Sequence, residues 1–569
     1  MLSDSILDIC RYGLAALSVI ILFRCLRSML SRRLEPEIWA YIRVGRSSVP
    51  VFHWENIIGS SRSADIRVYG SGIGRVHAIL KRSDAGIWYI YDVFSKGGVW
   101  VDGEKVKKSG MPLCDGSTIN LGGSCVRFAE ITTKKRMQLE DQRSGAGRLI
   151  NPVITLIELS IFEALLALGH TQTASDSTVV QIVLAFALLL IIQWLLYLMT
   201  RSMHRNGFEP ETLAFYLTAI GISVSAGSVP DDILRHMILV AASVALFVLF
   251  GLWLRNLTRV EAFRYIFGIL SLGLLAVNVV SGTTAYGAAN WLTVGGFSFQ
   301  PSELVKVGYI YVGAASLDRL YRRRNLFTFI VFSAVIVGAL ALIGDFGTAV
   351  IFFVTFLIIS FMRSGSIATA LLAITGAGMA GLLAVSVKPY IAQRFAIWGH
   401  VWEDVYDKGY QQTRAMSAVA SGGLWGKGPG GGWLKDIFAS NTDMVFAYVS
   451  EELGLIVAVS MVLALLLLAF FAVKSASTGR SSYMAIASCA AMGMLLVQLA
   501  LNVFGSLDIL PFTGVTFPFV SRGGSSLISC WLLLAYLKAA DNRRGASFCV
   551  RPLTVAPDNA DYGQEGAVA

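Results

Sequence analysis

Charge is what this chain has least of. Asp, Glu, Lys and Arg make up 15% of its 569 residues while 55% are hydrophobic, and the mean hydropathy is +0.63. A soluble domain builds its core with far less apolar residue, so a soluble protein is excluded and a polytopic membrane protein is indicated. Cysteine comes in no useful pattern: Cys10, Cys25, Cys114, Cys125, Cys489, Cys530 and Cys549 form no CxxC and no Cys/His metal spacing. That excludes a disulfide framework and a structural zinc site. The first apolar run lacks a small-residue cleavage site, and its positive charges, Arg24, Arg27, Arg32 and Arg33, mainly follow it. It is therefore expected to be an uncleaved anchor.

Runs of about 20 apolar residues, enough to cross a bilayer, fall near 6–26, 149–169, 178–200, 211–227, 235–254, 263–280, 303–318, 325–343, 347–363, 366–387, 445–473, 481–503 and 525–540. Lys/Arg clusters mark alternate loops, at Arg24 to Arg33, Lys134 to Arg148, Arg201 to Arg205, Arg255 to Arg264, Arg319 to Arg324, Lys474 to Arg480 and Lys538 to Arg544. Positive charge stays inside, so the N-terminus is expected outside and the C-terminus in the cytoplasm. The loops 281–302, 344–346, 388–443 and 505–524 then face the exterior. The net charge of +10 follows from this topology and from contact with anionic lipid, and is no sign of nucleic acid.

From about Arg43 to Glu130 short β-rich runs alternate with Gly and Asp turns, the pattern of an all-β sandwich. The expected organisation is an anchor over 1–33, a β module over 40–131, and a basic flexible linker over 132–148. Two additional spans over 149–205, a membrane domain over 206–544 and a disordered cytoplasmic tail over 545–569 follow.

Four polar segments between apolar runs carry the most information: GAANWLTVGGFSFQPSELVK from Gly287, GDFGTA from Gly344, SNTDMVFAYVSEELGL from Ser440 and ILPFTGVTFPFVSRGGSS from Ile509. In this order, over Thr212 to Arg544, they resemble the signatures of the FtsW/RodA/SpoVE (SEDS) family. The resemblance implies a ten-helix membrane core that polymerises lipid II into β-1,4 glycan strands on an undecaprenyl pyrophosphate carrier, with a class B penicillin-binding protein as partner. The process served would be cell division, cell shape or sporulation.

Joining a 4-hydroxyl to the anomeric carbon of an α-linked donor with one inversion needs a general base, and groups that hold the departing pyrophosphate. No cofactor is demanded, though a divalent cation, Mg or Mn, is compatible with the chemistry. Asp443 matches the carboxylate the family requires and is the expected base. A helix N-cap is the alternative role for an Asp there. Asp345 is the second candidate base, with the same alternative. Arg394 and Arg414, in the long loop before Asp443, suit the pyrophosphate. Gln300, Glu303 and Lys306 are expected among the substrate-binding residues, the last two pairing at i, i+3 as a mainly structural pair that lines the cavity floor. Glu452, an acid within a span, is expected to face a polar cavity or a partner, and is counted with the substrate-binding residues. A lipid II flippase is one alternative function, although no inverted repeat is visible. An inactive scaffold recruiting cell-wall factors is another.

The segment order IIGSSRSADI, GRVHAIL, WYIYDVFSKGGVWVDGEKV and CDGSTINLGG resembles a forkhead-associated (FHA) domain, a phosphothreonine-peptide binder. The usual ligand residues are altered: Ser60 stands where the family has Arg, Gly74 where it has Ser, and Gly97 where it has Asn. Arg75, His77 and Ser95 remain. Phosphate needs several convergent charge-assisted donors, so the expectation is phospho-independent docking of a cytoplasmic protein, with His77 bracing the loops.

Overall fold

A computed structural model describes residues 2–550, apart from 31–35, 62–63, 94, 133, 137, 140–141, 143–150, 286–287, 295–296, 318–322, 365–366, 368–370, 377, 380, 382–388 and 544. The expected linker over 132–148 and span over 366–387 lie in large part outside these residues, as does the tail beyond 550.

The helices are α1 (Leu2–Leu30), α2 (Val153–Thr171), α3 (Asp176–Ser202), α4 (Glu209–Ser228), α5 (Ile233–Leu254), α6 (Leu257–Ser281), α7 (Pro301–Leu317), α8 (Arg323–Ile343), α9 (Phe346–Ser364), α10 (Pro389–Ile397), α11 (Tyr410–Gly422), α12 (Val445–Glu452), α13 (Leu455–Ala476), α14 (Ser482–Ser506) and α15 (Gly524–Ala540). Among the described residues seven segments are long and apolar enough to cross a membrane, among them α1, α2, α3, α6, α13 and α14. α4 is buried on nearly every face, its two acidic residues Glu209 and Glu211 included. α5 packs against α15, and α6 against α7.

The single span read over 445–473 is two helices. α12 ends at Glu452, and Gly454 at φ +89° turns the chain into α13. The amides of Lys427 and Gly428 donate to the Glu451 and Glu452 carbonyls at 2.9 and 2.8 Å, so a glycine-rich loop satisfies the broken helix end. Between α6 and α7, the first signature segment forms a small antiparallel sheet, Thr283–Ala285, Ala288–Val294 and Phe297–Phe299.

The β module is a sandwich of strands β1 (Ala40–Val44), β2 (Ser47–Val51), β3 (Glu55–Gly59), β4 (Ile66–Arg67), β5 (Ala78–Arg82), β6 (Trp88–Asp92), β7 (Val99–Val101), β8 (Glu104–Lys105), β9 (Met111–Leu113), β10 (Thr118–Leu121) and β11 (Ser124–Glu130). One sheet has the order β2-β1-β11-β10-β7-β8 and the other β4-β3-β5-β6-β9. Trp88, Phe128, Ile58, Leu80 and Ile119 fill the space between them. The module is docked on the helical domain. His53 Nδ1 and the Trp54 amide each lie 2.7 Å from a carbonyl of the α13–α14 turn, Gly479 and Arg480 respectively. Arg480 makes a two-bond pair with Glu37 at 2.6 and 2.9 Å, and Asp84 accepts from the Thr258 amide at the start of α6.

The tail was expected to be disordered from 545, but the described part, through Val550, is held. Phe548 is buried against Phe247, and Arg255 donates to the Phe548 carbonyl at 2.6 Å. Beside it, Lys538 pairs with Glu211 at 2.8 Å and Arg543 with Glu209 at 3.1 Å, all buried.

Candidate active site

The helix ends opposite the β module carry the signature residues. Asp443 sits in the turn before α12 but does not cap it: Met444 occupies the cap position and no side chain bonds the helix amides. Its carboxylate is thus left for other chemistry. Three neighbouring carbonyls are held by partners from α14 and the last loop: Asn441 O by the Arg522 amide at 2.9 Å, Thr442 O by Ser521 Oγ at 2.5 Å, and Asp443 O by Asn502 Nδ2 at 3.0 Å. Burial pushes the Asp443 carboxyl up to about 6, partly offset by a hydrogen bond from Thr442 and the field of Arg394.

Asp345 is placed differently. One oxygen accepts from the Thr348 amide at 3.0 Å, capping α9, and the other accepts from Asn290 Nδ2 and Gln300 Nε2, both at 3.1 Å. Burial raises its carboxyl too. With both oxygens engaged, Asp345 ties the small sheet to α9, and Gln300 is spent on that bond. Glu303 and Lys306 form the expected pair at 2.7 Å, fully buried; Ser529 donates to Glu303 at 2.8 Å and Lys306 also donates to Gln498 at 2.9 Å. This pair braces α7 against α14 and α15 from inside the bundle.

Glu452 meets a partner, the glycine loop, accepting from the Gly430 amide at 2.9 Å while buried. Glu451 does the same through Lys427 Nζ at 2.6 Å and the Leu434 amide at 2.9 Å. A loop with many free amides draws these carboxylates, because an unpaired buried amide is costly. Arg394 is exposed on α10 and bears electrostatically on Asp443, whereas Arg414 lies over the Tyr410 ring, 5.2 Å from its centroid. Arg522 pairs with Asp232 at 2.7 Å.

In the β module, buried His77 accepts from the Gly74 amide and bonds the Gly98 carbonyl, both at 3.1 Å, so it braces two loops. Ser60 is tied to the same loop, its amide donating to Gly74 O at 3.0 Å. Arg75 is exposed, and the Ser95 amide donates to Asp92 at 3.0 Å. Gly97 presses on Gly122: a Cβ there would stand 2.6 Å from the Gly122 Cα.

A helical membrane protein with a docked β-sandwich and a clamped carboxylate at the mouth of its bundle is the class these features define. The FtsW/RodA/SpoVE family profile, described as cell cycle protein, matches residues 226–545, and the chain belongs to that family. The FHA domain profile matches residues 56–122. The chain is 34% identical to a probable peptidoglycan glycosyltransferase FtsW of Escherichia coli O6:H1 over 45% of its own length and 65% of that protein's. It is 26% identical to the peptidoglycan glycosyltransferase RodA of Mycobacterium tuberculosis H37Rv, over 57% of this chain and 72% of the relative. It thus spans just under two thirds of the E. coli protein. A solved chain of a peptidoglycan synthase complex is 26% identical, covering 59% of this chain and 98% of that one with a TM-score of 0.49.

Proposed function

We propose that this protein is an inverting glycosyltransferase that polymerises lipid II into β-1,4 glycan strands at the outer face of the cytoplasmic membrane, with Asp443 as general base. Family membership supports the reaction, and one observation carries the assignment: Asp443 is the signature carboxylate left free of capping, while Asp345 has both oxygens bonded. Asp443 takes the proton of the acceptor 4-hydroxyl as that oxygen attacks the anomeric carbon. The glycosyl–pyrophosphate bond breaks with inversion, and Arg394 offsets the charge of the leaving group.

Among the described residues no three His, Cys, Asp or Glu side chains converge. A divalent cation carried by the pyrophosphate would supply charge neutralisation of the leaving group and leave Asp443 free to take the proton. The partner is a class B penicillin-binding protein, and the β module docks a cytoplasmic protein without phosphate.

The decisive experiment supplies labelled lipid II to the purified protein with its cross-linking partner and resolves the products by length. Glycan polymer is expected from the native chain and not from Asp443→Asn; lipid movement without polymer would favour the flippase. Sidedness is tested in a chain whose native cysteines are replaced. Ser440 is buried, so the reporter belongs at strongly exposed Tyr406, with Tyr69 in the β module as its counterpart. An impermeant thiol reagent on intact cells should label Tyr406→Cys and spare Tyr69→Cys, and the reverse pattern would move the site to the cytoplasm.

A further inference from the structure

We propose that Asn502 and Ser521 are positioning residues that aim the Asp443 carboxylate, acting on its backbone and not on substrate. This rests on Asp443 being the base. Asn502 is buried on α14, and its Nδ2 donates to two carbonyls at once, Asp443 O at 3.0 Å and Val515 O at 2.8 Å. One amide thus knots the turn that carries the base to the loop lying against it. Ser521 Oγ donates to Thr442 O at 2.5 Å and accepts from the Phe517 amide at 2.7 Å, which makes a second knot between the same two segments. Arg522 N to Asn441 O is a backbone bond that no side-chain change removes.

The clamp reaches further into the bundle. Gln498 lies one helical turn before Asn502, on the same face of α14. Its Nε2 donates to Thr516 O at 3.0 Å and to Thr516 Oγ1 at 2.9 Å, and its Oε1 accepts from Lys306 at 2.9 Å. Two amides spaced i, i+4 therefore hold the consecutive residues Val515 and Thr516, one also gripping the Asp443 turn and the other the buried Lys306–Glu303 pair. A base must sit within hydrogen-bond reach of the proton it takes. A displacement of about 1 Å can cost about 10²-fold in rate.

The test compares Asn502→Ala, Ser521→Ala and Ser521→Thr with the native chain and Asp443→Asn, each purified with its cross-linking partner and assayed on labelled lipid II, with thermal unfolding followed in parallel. Asn502→Ala and Ser521→Ala should lower kcat about tenfold or more with KM nearly unchanged, the signature of a lost transition-state interaction. Ser521→Thr keeps the hydroxyl donor and should recover most of the rate. The rising limb of the pH–rate profile should also move to lower pH in Asn502→Ala, as the loosened carboxylate gains water. Should Asn502→Ala fail to fold, Ser521→Ala and Ser521→Thr decide the matter, since they alter one knot and leave the other. Native kcat and an unmoved limb in the alanine variants, beside an inactive Asp443→Asn, would overturn the positioning role. An active Asp443→Asn would instead overturn the base assignment itself.

Discussion

Gly514 lies against the carboxylate of Asp443: a Cβ on Gly514 would stand 3.1 Å from Asp443 Oδ2, and the glycine holds φ at +65°. The residue facing the proposed base is therefore one with no side chain, in a backbone region that L-residues enter at a cost of about 1–2 kcal/mol. Gly514→Ala should lower polymerisation much more than it lowers the melting temperature. A variant with native activity would show that the carboxylate has room to spare and that this contact does not shape the site.

The Asp443 carboxyl is raised to about 6, chiefly by burial. A base works only when ionised, so the rate should climb as pH rises through about 6 and level off above it, while at neutral pH the group stays mostly charged yet more basic than an ordinary carboxylate. Initial rates on labelled lipid II between pH 5 and 8 measure this. A flat profile across that window would mean that another group, or product release, governs the rate.

Lys306→Met should destabilise the protein strongly, because it strands Glu303 inside the bundle with Ser529 as its remaining donor. Breaking a buried pair from one side typically costs about 3–5 kcal/mol, whereas replacing both partners with neutral groups costs less. Thermal unfolding in detergent should therefore rank the double variant Glu303→Gln with Lys306→Met above Lys306→Met alone. The opposite ranking would mean that Glu303 is neutral without its lysine, or that water reaches it.

The sequence made the spans legible because a bilayer demands uninterrupted apolar length, and it made the β module legible because its turns are written in Gly and Asp. The break at Gly454 was hidden: the apolar run continues through Leu455–Ala476, and what ends α12 is a loop about 25 residues upstream whose amides take its carbonyls. The clamp on residues 441–443 was hidden for a related reason. Its acceptors are backbone carbonyls, which no residue type announces, and its donors, Asn502, Ser521 and Arg522, come from a distant helix and loop. The signature singles out Asp443 as the candidate, but that Asp345 would have both oxygens bonded could not be read without knowing that Asn290 and Gln300 fold over it.

The β module gives the last prediction. With Ser60, Gly74 and Gly97 at the ligand positions, side-chain donors that would hold a phosphopeptide are gone, and each charge-assisted bond lost removes about 1.5–3 kcal/mol. Two such losses turn a micromolar site into a near-millimolar one. Calorimetry on the full chain should therefore detect no phosphothreonine-dependent binding from a peptide library. Repair is only partly open to mutation. A Cβ on Gly74 meets nothing closer than 3.4 Å, so Gly74→Ser fits, and Ser60→Arg starts from a partly exposed position. Gly97→Asn does not fit, because its Cβ would stand 2.6 Å from Gly122 Cα and 3.1 Å from Gly72 O, and Gly122 is itself held at φ +55°. The double variant Ser60→Arg with Gly74→Ser should thus regain weak phosphate-dependent binding, and adding Gly97→Asn should lower the stability of the module without improving affinity. Micromolar phosphate-dependent binding by the native chain would overturn this account and make the module a phosphorylation-controlled switch.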